Sequence, residues 1–370
     1  MNLLNILLAV FGLGILVAIH EAGHLLAARL LGMRVEVYSI GWGRALWSHV
    51  SKKSGTEYRV SLIPIGGYCK IAGMGEGGAV EGKDEPSDAG SYLSKPAWSR
   101  FLAIAFGPIM NYATAFTLAA GLLMVGMPSA DLGSTIVGEV VPGQPAALAG
   151  LKPGDRIVSI AGKKVERWKD LTAAIEGAII KVTDGKPEIL ADKVNDLAVV
   201  VERGGAQVAL TVRPALVGGF PRIGVGAHTI VERLPPAQAI VGSARFVWAN
   251  NLEIIRSLGR MVSGREKAQL AGPVGIVRDT AAQASHGALS FLATLAMLSI
   301  ALAIFNFLPI PPLDGGRLVF LALEIALRRR VPHKVETAIH LAGFAVFFLL
   351  VVAISAHDVF SWVHDAVAKH

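Results

Sequence analysis

The chain alternates between long apolar stretches and shorter polar ones, and the lengths of the apolar stretches set the first expectations. Residues 1–19 carry no charged side chain, and after a brief polar interruption the apolar character resumes through Leu31. This reads as one helix of about 29 residues, or ~43 Å, where a single pass through a bilayer needs roughly 20 residues. A signal peptide is the ordinary alternative, but no Lys or Arg precedes the run, which is also too long for an h-region. A second span is predicted from about Phe101 to Met127, entered by Lys95, Pro96 and Arg100 and closed by Pro128. A third runs from about Ala288 to Leu308 and a fourth from about Ala338 to Ile354, both uncharged, with His340 near the start of the fourth. Four spans are therefore expected.

The segments between the spans have other periods. Val60–Ile71 alternates and meets a Gly-Gly pair at Gly66 and Gly67, so a short hairpin turning there is expected. Gly75 to Gly90 is rich in glycine and acidic residues and reads as a mobile cytoplasmic loop. From about Thr135 to Ala227 short strands and turns take over. Pro153-Gly154 forms a tight turn before the strand Arg156–Ile160, and Trp168, Leu171 and Ile175 recur at helical spacing. Leu197–Val201 and Val208–Val212 read as a strand pair. Residues 237–260 are amphipathic, with Phe246, Trp248, Leu252, Ile255 and Leu258 apolar and Arg245, Glu253, Arg256 and Arg260 polar, as expected of a helix lying along a membrane surface. The plainer reading of that stretch is a soluble helix covering the preceding domain.

Composition agrees with this division. The chain has 370 residues, 53% of them hydrophobic and 17% charged, with 41 glycines, and its mean hydropathy is +0.53. A wholly soluble or disordered protein is excluded on that basis. The net charge of +7 includes no block of five or six like charges, so nucleic acid is not an expected partner. The lone Cys69 rules out an intramolecular disulfide and reads as a structural thiol. The basic residues instead report orientation. Arg29, Arg34, Lys95 and Arg100 flank one loop and Arg317, Arg328, Arg329, Arg330 and Lys334 fill another, which places both loops in the cytoplasm and both termini outside.

The polar interruption of the first span is His20-Glu21-Ala22-Gly23-His24, an H-E-x-x-H pattern. Residues four apart on a helix lie about 40° apart, so both imidazoles face one way and can share a metal, with Glu21 one step round to activate water. Three ionisable groups in an apolar helix each cost roughly 2.5–3.5 kcal/mol on insertion scales, so they need a partner or a function. Snorkelling to the interface is the bland account, weakened by the mostly apolar Leu25–Leu31 that follows. A catalytic zinc takes three protein ligands, and the extended H-E-x-x-H-x-x-G-x-x-H is not available, because Ala27 and Leu30 stand at its Gly and His positions. The best candidate for the third ligand is Asp314, in the proline-broken run from Asn306 to Gly316 at the inner end of span three. A helix-ending turn with a solvated Asp is the alternative. In span two, Asn111 of Gly107-Pro108-Ile109-Met110-Asn111 reads first as an interhelical hydrogen-bonding amide.

H-E-x-x-H in the first span, N-x-x-P-x-x-x-L-D-G at the third and a domain inserted between the second and third spans together resemble the site-2 protease family of intramembrane zinc metalloproteases, especially the bacterial regulator-of-sigma-E protease branch. The resemblance covers essentially the whole chain. It implies Zn2+ bound by His20, His24 and Asp314, Glu21 as general base, and hydrolysis of transmembrane segments inside the bilayer. It further implies substrate-binding roles for Asn306 and Pro309 of the motif, for Gly66 and Gly67 of a membrane-associated β-loop that would add an unwound substrate as a strand, and secondarily for Asn111. Gly150-Leu151-Lys152-Pro153-Gly154-Asp155 resembles the G-L-x-x-G-D of a PDZ domain, and the segment has room for a single one. The family resemblance suggests that this domain acts as a size filter; capture of a newly exposed carboxyl terminus is the other role. Leu270–Ile276 resembles a recurrent family segment without a clear physical role.

The expected fold is a polytopic α-helical membrane protein with four transmembrane helices, a membrane-associated β-hairpin region and an inserted α+β PDZ domain. In order, the parts are span one (1–32), the β-loop region (33–99), span two (100–127), the extracytoplasmic domain (128–230), an amphipathic extracytoplasmic segment (231–287), span three (288–312), a cytoplasmic loop (313–337), span four (338–356) and an extracytoplasmic tail (357–370). Expected partners are single-pass membrane substrates such as an anti-sigma factor, with signal-peptide remnants also possible, an upstream site-1 protease acting first, and the lipid bilayer; the expected location is the bacterial inner membrane. A metal transporter or metal-sensing receptor using the same ligands without hydrolysis is the alternative, although spans two and four would offer it only Asn111 and His340. A scaffold with a dead site is disfavoured because every catalytic position is filled.

Overall fold

The computed structural model describes residues 2–74, 88–177, 180–183, 186–189, 196–217, 220–263 and 272–367. The expected Gly- and acid-rich loop lies outside the described residues at 75–87, as do residues 270–271 of the Leu270–Ile276 segment. The chain divides into two units, Met1–Val125 with Leu234–His370, and Gly126–Arg233.

The first unit opens with helix α1 (Leu3–Leu30), capped by the Asn2 side chain, which accepts from Asn5 N at 2.9 Å. It stops where Gly32 takes a positive φ of 70°. Strands β1 (Val35–Val50) and β2 (Glu57–Ile71) then pair antiparallel, Val35 opposite Ile71 and Val50 opposite Glu57. Both strands bend, so Glu57–Val60 lies beside Val37–Ile40 as well as beside Trp47–Val50. The reversal therefore falls at Ser51–Thr56, and Gly66 and Gly67 sit inside β2 instead of forming the expected turn. Arg29 explains the location: its guanidinium donates to Ser54, Thr56 and Tyr58 at 2.8–2.9 Å and ties the reversal to the end of α1. The Tyr38 hydroxyl makes a second tie, donating to the Ala18 carbonyl at 2.7 Å. Helix α2 (Ala97–Val125) follows, with Pro108 inside it.

The second unit begins with β3 (Met127–Ala130), β4 (Val137–Val140), the single turn α3 (Pro145–Leu148), β5 (Arg156–Ile160) and β6 (Lys163–Lys164). Helix α4 (Trp168–Gly177) leads to β7 (Ile180–Thr183), β8 (Lys186–Ile189), β9 (Leu197–Arg203) and β10 (Ala206–Val212). The short strands β11 (Ala215–Val217), β12 (Phe220–Arg222), β13 (Val225–Ala227) and β14 (Thr229–Glu232) complete it. Its main sheet has the order β10-β9-β5-β6, with Leu197 opposite Val212 and Val201 opposite Val208. Ile157, Ile160, Val199, Val201 and Leu171 are buried in one core: Val199 and Val201 at alternate positions of β9, Ile157 and Ile160 on either side of a register irregularity in β5, and Leu171 from the apolar face of α4. Asp155 closes the turn before β5. It accepts from Lys152 N at 2.8 Å and from Arg203 at 2.7 Å through both carboxyl oxygens, which holds its carboxyl below the ordinary carboxylate range.

Back in the first unit, α5 (Pro236–Val262) and α6 (Pro273–Ser285) precede α7 (Ala288–Phe307), α8 (Asp314–Leu327) and α9 (His333–Val367). On α5, Phe246, Val247, Ile254 and Leu258 pack with Ala115 of α2 and Ile300 and Ile304 of α7. Trp248 and Ile255, expected on the same apolar face, are instead exposed. The Leu270–Ile276 segment gains a physical role, since Asp358 of α9 accepts from Gly272 N at 2.8 Å and Gly275 N at 3.0 Å and so caps α6. Two boundaries differ from expectation. Residues 313–337, expected as a loop, contain the 14-residue α8, and the helix of span four continues through the expected tail to Val367. Among the described residues four helices are long and apolar enough to cross a membrane: Leu3–Leu30, Ala97–Val125, Ala288–Phe307 and the Lys334–Ala356 part of α9.

Candidate metal centre

The first unit brings α1, α2 and the start of α8 to one point. On α1, His20 and His24 lie one turn apart with ring planes at 84° and centroids 4.8 Å apart. Each is only 6% exposed. The Nε2 atoms are 3.2 Å apart, and Asp314 Oδ2 lies 3.0 Å from His20 Nε2 and 3.3 Å from His24 Nε2. Zinc bonds of 2.0–2.1 Å in a tetrahedral arrangement place ligand atoms about 3.3 Å apart. The three distances match that spacing, and two imidazole nitrogens with one carboxylate oxygen are a donor set suited to a catalytic zinc with an open position.

Local sequence explains how Asp314 arrives there. Leu308 is extended, as expected of a residue before a proline, and α7 ends at Phe307. The chain then reverses, and α8 starts at Asp314 itself. Gly315 is required for this turn, because a Cβ there would stand 1.9 Å from the Leu308 carbonyl oxygen.

The outer surroundings come from α2. His24 Nδ1 lies 2.9 Å from the Ala103 carbonyl oxygen, and His20 Nδ1 lies 3.0 Å from the Asn111 amide. Between them Gly107 leaves room for the rings; a Cβ there would meet His24 Cε1 and Nε2 at 2.4 Å and His20 Cε1 at 2.9 Å. Ala103 was not singled out from the sequence, and Gly107 was named there only as the start of the stretch that holds Asn111. The Ala103 contribution is a backbone atom with no side-chain signal, whereas the four-residue spacing of Gly107 and Asn111 was visible.

A cavity of about 360 Å³ opens beside these groups, with Glu21, His24, Asp314 and Arg317 on one side and Gly67, Tyr68 and Cys69 of β2 on the other. Of the residues expected to bind substrate, Gly67 is brought to the site, since a Cβ on it would lie 3.3 Å from Glu21 Cγ. Gly66 is its neighbour in β2. Asn111 is fully buried against His20 and does not line the cavity. Asn306 donates to the Leu302 carbonyl of its own helix at 3.0 Å, and neither it nor Pro309 lines the cavity. Burial pushes the Cys69 thiol well up, so it stays protonated at neutral pH and is a poor nucleophile. Arg317, one turn into α8, was read from the sequence only as a topology signal.

A donor triad on apolar helices, with a carboxylate beside it and a cavity in front, defines a zinc metalloprotease built into a multi-pass membrane protein. Comparison with known proteins makes the assignment specific: the model of Peptidase family M50, the site-2 protease family, matches residues 8–350, and the chain belongs to that family. Metalloprotease MmpA of Caulobacter vibrioides is 33% identical over 399 residues, covering 95% of this chain and 96% of its own. A protein of Fusobacterium nucleatum, named as a candidate zinc metalloprotease, is 31% identical over 360 residues, covering 96% and 98%. One of Clostridium perfringens with the same description is 29% identical over 357 residues, covering 96% and 98%. The enzyme is a zinc metalloprotease with Zn2+ as its cofactor, and the transporter reading is not favoured.

Proposed function

We propose that the protein cuts single-pass membrane proteins within their transmembrane segments, acting after an upstream site-1 protease has removed most of the extracytoplasmic part. An anti-sigma factor is the substrate class the motif resemblance favours. The observation that carries this reading is the position of the triad: His20 and His24 lie in the carboxy-terminal half of a 28-residue apolar helix, with Glu21 facing a cavity walled by β2.

His20, His24 and Asp314 would hold the zinc, which when bound would supply Lewis acidity toward the scissile carbonyl and the attacking water. Glu21 takes a proton from the attacking water and hands it to the leaving amine. A peptide bond inside a helix is shielded by its own hydrogen bonds, so the substrate must unwind first. Gly67 to Lys70, on the cavity wall beside Glu21, is a stretch of strand along which the unwound backbone can be added. The exposed Trp42, Leu46, Trp47 and Leu62 of the same two strands support a hairpin that dips into lipid.

The basic residues at the loop ends support a cytoplasmic-side active site in the bacterial inner membrane, with both termini and the inserted unit outside. The Gly-Leu-Lys-Pro-Gly-Asp turn and the β10-β9-β5-β6 sheet support a PDZ domain, whose role would be to turn away substrates with bulky extracytoplasmic domains. The test uses purified enzyme in detergent with one model substrate, either carrying or lacking a folded extracytoplasmic domain. Mass mapping should place the cut inside the transmembrane segment and only in the trimmed form. Cuts confined to soluble loops would refute the proposal.

A further inference from the structure

Ala103, Gly107 and Asn111 follow one another at four-residue intervals, so they share one face of α2, and it is the face turned to the two histidines. The Ala103 carbonyl can only accept, so its 2.9 Å contact fixes the His24 proton on Nδ1 and leaves the Nε2 lone pair directed at the ligand cluster. His20 stands differently. Its Nδ1 faces Asn111 Nδ2 at 3.0 Å, while Asn111 Oδ1, in a side chain with no exposed surface, has no partner among the described residues. In this arrangement the amide donates to Nδ1 and the His20 proton sits on Nε2, pointing at Asp314 Oδ2. Binding a metal through His20 Nε2 requires the other tautomer, with the proton on Nδ1 and an acceptor where the amide stands.

A half-turn of the amide puts Oδ1 in that place. The backbone of Asn111 is already fixed, because Ser299 Oγ of α7 donates to its carbonyl at 2.8 Å. We propose that Asn111 is a positioning residue of the zinc site: its Oδ1 accepts the Nδ1–H of His20 in the metal-bound enzyme, as the Ala103 carbonyl does for His24. One face of α2 thereby turns both imidazoles so that each offers Nε2. This rests on the reading of His20, His24 and Asp314 as the ligands.

The test measures zinc affinity by chelator competition on the full-length protein in detergent, together with the visible absorption of the Co2+-substituted form. Asn111→Leu keeps the size and removes the acceptor, and should weaken zinc roughly ten- to a hundredfold with an altered Co2+ spectrum. Asn111→Asp keeps an acceptor oxygen at the same reach and should bind zinc at least as tightly as the parent, with its Co2+ spectrum. A residue that merely joins two helices would change the melting temperature of both variants and leave the spectrum alone. Parental zinc affinity in Asn111→Leu, or an Asn111→Asp that binds zinc at least tenfold more weakly than the parent, overturns the proposal, and the second comparison decides even if the Leu variant does not fold. His20→Ala serves as the reference arm. If it loses zinc while Asn111→Leu keeps it, only the role of Asn111 fails; if it keeps zinc, the ligand assignment itself fails.

Discussion

Arg100 of α2 and Glu324 of α8 form a buried ion pair, Nη2 to Oε1 at 2.5 Å, with side chains 6% and 15% exposed. The pair fastens the helix that begins with the candidate ligand Asp314 to the helix that carries the outer contacts of both histidines. Removing one partner leaves an uncompensated buried charge, which typically costs about 3–5 kcal/mol. Glu324→Ala should therefore lower the melting temperature of the protein in detergent and reduce its zinc content. The double variant Arg100→Met/Glu324→Leu, with no charge left to strand, should recover most of the loss. A double variant as unstable as the single one would show that the pair is not what joins the helices.

Gly107→Ala places a methyl group against both imidazoles. Zinc affinity is expected to fall by at least the roughly ten- to hundredfold typical of outer-sphere changes, with proteolysis falling in parallel. Chelator competition and a cleavage assay on the same preparation measure both.

The four apolar stretches and the H-E-x-x-H were legible in the sequence because periodicity and charge carry them directly. Asp314 was legible because prolines and glycines mark the broken backbone around it. Helix α8 was not, since Arg317 inside it and Arg328–Arg330 just beyond its end read as the charges of a cytoplasmic loop. Only the folded chain shows Arg317 lining the cavity and Glu324 paired with Arg100. The hairpin turn was misplaced because Gly66-Gly67 is a strong local turn signal, and it is overridden by Arg29, distant in sequence, holding Ser54, Thr56 and Tyr58. The Ala103 carbonyl has no side-chain signature at all.

In the inserted unit, Asp155 is held in its charged form chiefly by the hydrogen bonds from Arg203. Its folded pKa lies below the unfolded value of about 3.9, so the stabilisation is complete above that pH and is lost as pH falls through the folded value. Hydrogen exchange on the full chain should show protection of β5 and β9 constant from pH 7 to about 4.5 and declining below pH 4. Asp155→Asn should lose about 1–3 kcal/mol of protection at pH 7 and flatten the acid limb. An acid limb of unchanged steepness in Asp155→Asn would assign the pH dependence to another group.

Asp358→Ala removes the acceptor for Gly272 N and Gly275 N at the start of α6. The loss of about 0.5–2 kcal/mol expected for a helix cap should appear as faster exchange confined to the first turn of α6. Uniformly faster exchange along α6 and α9 would mean that Asp358 holds the two helices together as well as capping one.

In the proposed mechanism Glu21 does proton work beside a zinc that His20, His24 and Asp314 would hold. The most direct test is Glu21→Gln, measured for zinc content and for cleavage of a transmembrane substrate in one preparation. The expected result is zinc at parental stoichiometry with cleavage abolished. Undiminished cleavage by that variant would contradict the account.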